Sequence, residues 1–129
     1  MRVEIKAGGR VITARFGILA LRKYSELHDL ELTELGADLS KKGVFGIADL
    51  FYCAYLADAE LADRVPEAEL NQAAFTDLLG ELSELQLKQI SAAINEIKLF
   101  GKKLSEIADD ADTGKKKAKR TTTMKAAES

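Results

Sequence analysis

The sequence predicts a small α+β fold, mainly α-helical, in which four to five helices pack on an N-terminal β-hairpin. Three observations carry this. Val3 to Phe16 reads as two half-buried strands around Gly8-Gly9. Apolar residues recur at three- and four-residue spacing through most of the chain after Gly17. The core must also be drawn mainly from Leu, Ile and Ala, because the 129 residues include no Trp and 6% aromatics, and that palette favours helix.

Val3-Glu4-Ile5-Lys6 alternates as a first strand, Gly8-Gly9 supplies the turn, and Val11-Ile12-Thr13-Ala14-Arg15-Phe16 is rich in strand-forming residues. A lone two-stranded hairpin is marginal in water, so its apolar face requires cover from the helices. Gly17 allows a sharp change of direction into the first of them, which runs from Ile18 to about Leu27–Asp29. Ala20, Tyr24 and Leu27 fall on one stripe of it with Leu21 alongside. His28, the single histidine, is expected to serve the negative end of that helix dipole.

Asp29 to Gly46 is broken by Gly36, Gly43 and Gly46 and is expected to hold one short helix around Thr33 to Leu39, with Thr33 as its cap. Ile47 to Leu61 is the most apolar stretch. Ile47, Leu50, Phe51, Ala54, Tyr55 and Leu61 make one broad face, and Tyr52, Cys53 and Leu56 make the other nearly as apolar, which predicts a central, buried helix. Pro66 fits the first turn of a further helix reaching about Leu79, with Leu70, Ala74, Leu78 and Leu82 on one side. Ser83 and Gln86 have the form of a capping box, so the last helix opens near Glu84. Its seam of Leu87, Ile90, Ile94, Ile97, Gly101, Leu104, Ala108 and Ala111 repeats at spacings of three and four. One continuous helix on that seam would reach roughly 40 Å, with its first half on the core and its distal half either frayed or packed against another chain.

These elements place one domain at residues 1–111, followed by a disordered basic tail at 112–129. Of 19 Lys and Arg, six lie in residues 113–129 against one acid, Glu128, so that segment carries about +5 and residues 1–112 about −7. The tail could hold nucleic acid electrostatically, but it lacks interleaved aromatics for stacking and the acidic body would repel a phosphate backbone.

Catalytic chemistry is not indicated. Cys53 is the single cysteine, which excludes an intrachain disulfide and a Cys-based zinc site. It reads as a small buried apolar residue. Gly8-Gly9 does not open a helix after a buried strand, so it is not a dinucleotide fingerprint. The serines have no nucleophile-elbow context, and His28 and Cys53 are far apart in sequence. The expectation is a non-enzyme with no cofactor and no metal. The N-terminus has no signal-peptide pattern, and no stretch approaches the roughly 18 to 20 apolar residues that span a bilayer. A cytoplasmic protein is therefore expected.

The opening, with its apolar-Glu-Ile-Lys start, two glycines followed by a base, a strand ending in Arg15-Phe16-Gly17, and then Ile18, Ala20-Leu21 and Arg22-Lys23, resembles that of the small tail assembly chaperones of long-tailed bacteriophages and prophages. The likeness continues to about Phe100 as an order of elements: hairpin, helix, loop, apolar helix, then a pair of acidic helices. It implies a cytoplasmic helper that coats the hydrophobic tape measure protein, helps recruit tail tube subunits and self-associates weakly. It also implies a longer product made by ribosomal frameshifting, for which Gly114-Lys115-Lys116-Lys117 marks a possible A-rich slippery site. Leu56, Leu99, Phe100, Leu104 and Ile107 are the expected apolar partner contacts. Two alternatives differ in class: a dimeric nucleic-acid-associated or regulatory module acting through the basic tail, and a minor structural or completion protein of the tail.

Overall fold

The computed structural model describes residues 1–99 and 102–103. Strands β1 (Arg2–Ala7) and β2 (Arg10–Arg15) pair antiparallel with Ile5 opposite Ile12 and Ala7 opposite Arg10. Gly8 and Gly9 close the hairpin at φ +60° and +75°. A two-residue turn with positive φ at both positions matches the twist of the strands, and glycine adopts it without strain. Val3, Ile5, Ala7, Ile12 and Ala14 are buried on one face, while the alternating Arg2, Glu4 and Lys6 are exposed.

Helix α1 (Ile18–His28) comes next, as expected. Its buried residues are Ala20, Leu21 and Tyr24, whereas Leu27 is 40% exposed. The inward stripe therefore narrows before the last turn, and the chain leaves α1 through Asp29 in the left-handed region. A 3₁₀ turn (Leu32–Glu34) leads into α2 (Leu35–Lys42). Thr33 is not the cap of this region. The Glu31 N–H donates to Glu34 Oε1 at 2.8 Å, and Thr33 lies exposed inside the turn.

Helix α3 (Val44–Leu61) is the central element. It lies against α1, α2 and β2, and Ala48, Leu50, Phe51, Cys53, Ala54, Tyr55, Ala57 and Ala59 are all buried on it. Phe51 stacks on Phe16 with centroids 6.3 Å apart and meets Phe75 edge-on at 5.0 Å. Leu61, assigned to the buried face by spacing, is 55% exposed at the helix end.

The helix expected to begin at Pro66 begins later. Residues 61–69 are exposed and Leu70 is buried in a turn, its N–H donating to the Glu67 carbonyl at 3.0 Å. Helix α4 (Gln72–Leu78) opens at Asn71, whose side chain accepts from the Ala74 N–H at 2.9 Å. An asparagine cap satisfies an orphan donor that proline at the first turn merely avoids. Helix α5 (Glu84–Asn95) has the expected box: Gln86 N–H donates to Ser83 Oγ, and Ser83 N–H donates to Gln86 Oε1. The Gln86 amide also donates to the Lys6 carbonyl at 2.8 Å, fastening α5 to β1.

The long helix on the heptad seam is not formed. α5 ends at Asn95, a weak helix former, with the Ile97 N–H tightening onto the Ile94 carbonyl at 3.1 Å. Ile97 is then buried just beyond the helix, and two-residue strands β3 (Lys98–Leu99) and β4 (Lys102–Lys103) pair antiparallel. Apolar spacing fitted a helix, but burial of Ile97 needs no further turn. The outer half of the seam, from Leu104 to Ala111, and the basic tail at 112–129 lie outside the described residues. No helix among the described residues is long and apolar enough to cross a membrane.

Candidate partner-binding surface

A shallow groove of about 360 Å³ runs beside the C-terminal half of α3, lined by Lys23, Leu56, Ala59, Glu60, Asp63, Arg64 and Pro66. Its shape is set by how α3 stops. The Asp63 N–H donates to the Glu60 carbonyl and the Arg64 N–H to the Ala59 carbonyl, with Asp63 at φ +57°. This is a helix stop of the Schellman type with aspartate in the left-handed position usually held by glycine. The reversal carries Arg64 back along the helix that precedes it. Leu56 and Pro66 supply apolar surface between the charged residues, while Ala59 is fully buried. Lys23 Nζ donates to Glu60 Oε1 at 2.8 Å and holds that carboxyl below its ordinary range.

Beside the groove is a charge cluster centred on Asp58, which has no exposed side-chain surface. Arg2 Nε donates to Asp58 Oδ1 at 3.0 Å, and Arg64 Nη2 donates to Oδ2. Arg15 Nε lies 3.6 Å from Oδ1 without a hydrogen bond. Burial opposes the carboxylate charge, but the hydrogen bonds and charges of Arg2 and Arg64 outweigh it and hold the carboxyl below the usual range.

A second polar group sits under α2. Asp49 Oδ2 lies 3.0 Å from His28 Nε2, Lys42 Nζ lies 3.2 Å from His28 Nδ1, and Asp38 accepts from both Lys42 and the Tyr24 hydroxyl. Partial burial works against the Asp38 charge, and the hydrogen bonds from Lys42 and Tyr24 override it, so its carboxyl is also lowered. His28 is thus enclosed between Tyr24, whose ring is 4.4 Å away, Lys42 and Asp49, a fuller role than serving a helix dipole. Among the described residues no group of three or more His, Cys, Asp or Glu side chains could hold a metal ion.

Of the five expected contact residues, Leu56 is half-buried in the groove. The Leu99 backbone is in β3, and its side chain lies outside what the structure describes, as do Phe100, Leu104 and Ile107 entirely. Spacing along the chain does not single out Asp58 and Asp49. A signal for them exists all the same: a carboxylate inside a helix apolar on nearly every side must be buried, and a buried carboxylate needs partners. What sequence spacing cannot supply is the identity of those partners, which for Asp58 come from both ends of the hairpin and from beyond the helix stop, and for Asp49 from His28 and Gln72.

Comparisons with protein-family models, with curated proteins and with solved structures find no match to this chain.

Proposed function

We propose that the protein is a tail assembly chaperone of a long-tailed bacteriophage or prophage, a non-enzymatic cytoplasmic helper that binds the hydrophobic tape measure protein and helps recruit tail tube subunits. The observation that carries this reading is the opening sequence pattern from Val3 to Lys23, which resembles that family and folds as a glycine-turned hairpin running directly into a helix. The apolar groove over Leu56 and the exposed Leu61, Val65 and Phe45 support it, since a chaperone for apolar helices must present apolar surface of its own.

Co-expression with a tape measure protein, which this reading requires the source genome to encode, tests the reading. The expected result is that the tape measure protein becomes soluble and co-purifies. Insoluble tape measure protein with the chain free in the supernatant would reject it. Expression with the native downstream DNA and an N-terminal tag tests the frameshift: a longer minor product sharing residues up to about Lys115–Lys117 is expected by mass spectrometry.

The concentration of six basic residues in 113–129 favours one second reading, a nucleic-acid-associated module. It requires binding that weakens steeply with salt, whereas burial of apolar helices does not.

A further inference from the structure

We propose that Arg2, Arg15 and Arg64, together with the apolar groove over Leu56, form a recognition site for a carboxylate-bearing amphipathic segment of a partner protein. Arg2 and Arg15 are directly opposite in the hairpin register, where like charges repel, and the helix stop turns Arg64 onto the same spot. Among the described residues Asp58 is the carboxylate these three guanidinium groups share, so the cluster keeps an excess of two positive charges. Arg15 is the least satisfied member, its buried Nε lacking a hydrogen-bond partner. Each guanidinium has five N–H donors, and the three side chains remain 53%, 40% and 42% exposed.

Arg64 belongs both to this cluster and to the groove lining, which makes the cationic spot and the apolar floor one continuous surface. The charge around it selects the occupant. Lys23 is neutralised by Glu60, Asp63 adds a negative charge at the rim, and residues 1–112 carry about −7 overall. A nucleic acid would meet that negative field along its length. A single carboxylate placed at the arginines, on the side of Arg64 away from Asp63 and Glu60, would be received bidentately, while its apolar neighbours cover Leu56 and Pro66. The groove is the one the tail-assembly reading also uses, but the carboxylate preference is tested without a tape measure protein and stands or falls separately from that reading.

The test uses the full chain and a fluorescent amphipathic helical peptide of Leu, Ala and Gln carrying one Glu, with a matched peptide in which that Glu is Gln. The Glu peptide is expected to bind about tenfold more tightly than the Gln peptide, corresponding to one charge-assisted contact. It should also shift the side-chain Nε–H resonances of Arg2, Arg15 and Arg64 in the unmodified protein. Arg15→Gln, which leaves both hydrogen bonds to Asp58 in place, should remove most of that preference. Equal binding of the two peptides, no binding of either, unmoved arginine resonances, or displacement by single-stranded oligonucleotide more effective than by the Glu peptide would each overturn the proposal.

Discussion

Arg2 and Asp58 are joined across 56 positions of sequence by a 3.0 Å hydrogen bond from the guanidinium Nε to a carboxylate with no exposed surface. This bond ties the first strand to the central helix, and Arg64 closes the other side of the same carboxylate. Asp58→Ala is expected to destabilise the fold by about 2 to 3 kcal/mol, less than breaking a fully buried pair costs, because the exposed parts of the arginines regain water. Urea unfolding monitored by circular dichroism measures it. A loss within experimental error of zero would mean that the cluster contributes nothing to stability.

Acid should act through the same carboxylate. Asp58 and Asp38 both have folded-state pKa values below their ordinary 3.8. Groups lowered in this way stabilise the fold above their unfolded pKa, and that contribution disappears as pH falls through the folded value. Stability is expected to hold from neutral pH down to about pH 5 and to fall steeply below about pH 4. Asp58→Asn should make the acid limb shallower while lowering stability at neutral pH.

Cys53 is buried on α3, where burial and the neighbouring Asp49 push its thiol up to about 12. Almost none of it is thiolate at neutral pH. Its reaction with a disulfide reagent is expected to proceed only through opening of the fold, roughly a hundredfold or more slower than in denaturant. Rapid native-state labelling would contradict that burial.

Replacing glycine by alanine should depart from simple helix propensity at Gly46. Alanine normally favours a helix over glycine by about 1 kcal/mol, but a Cβ at Gly46 in α3 would sit 3.0 Å from Lys42 Cβ and 3.4 Å from the Leu39 carbonyl oxygen. Gly46→Ala is therefore expected to destabilise by about 1 kcal/mol net, overpacking exceeding the propensity gain. At the hairpin, Gly8→Ala and Gly9→Ala should both destabilise, because each position has positive φ; a methyl at Gly8 would meet Leu78 at 3.4 Å, ordinary contact that adds no further cost. Thermal unfolding of the three variants measures the losses.

Ser83→Ala removes one half of the box at the start of α5 and should cost about 1 kcal/mol. Because Gln86 also holds the Lys6 carbonyl, Gln86→Ala is expected to cost at least as much and to loosen hydrogen exchange in β1. An effect confined to α5 would show that the link to the strand is not cooperative.

Sequence by itself determined the hairpin, its glycine turn, the direct entry into α1, the central position of the apolar helix and the box at Ser83-Gln86. Each depends on neighbours within a few residues: alternation, positive φ, a side chain reaching the next turn. The same local reasoning misplaces the start of α4, because it weighs Pro66 without the cap at Asn71, and it extends α5 along a seam that the buried Ile97 ends. Leu56 is legible as surplus apolar surface. The groove around it is not, since its walls come from α1, α3 and the reversed chain after Asp63. Tertiary structure alone decided which charges neutralise Asp58 and which side chains, His28 and Gln72, stand against Asp49. A buried carboxylate is satisfied by whichever cations the fold brings within hydrogen-bond reach, and no spacing along the chain records that Arg2, Arg15 and Arg64 converge on one residue of α3.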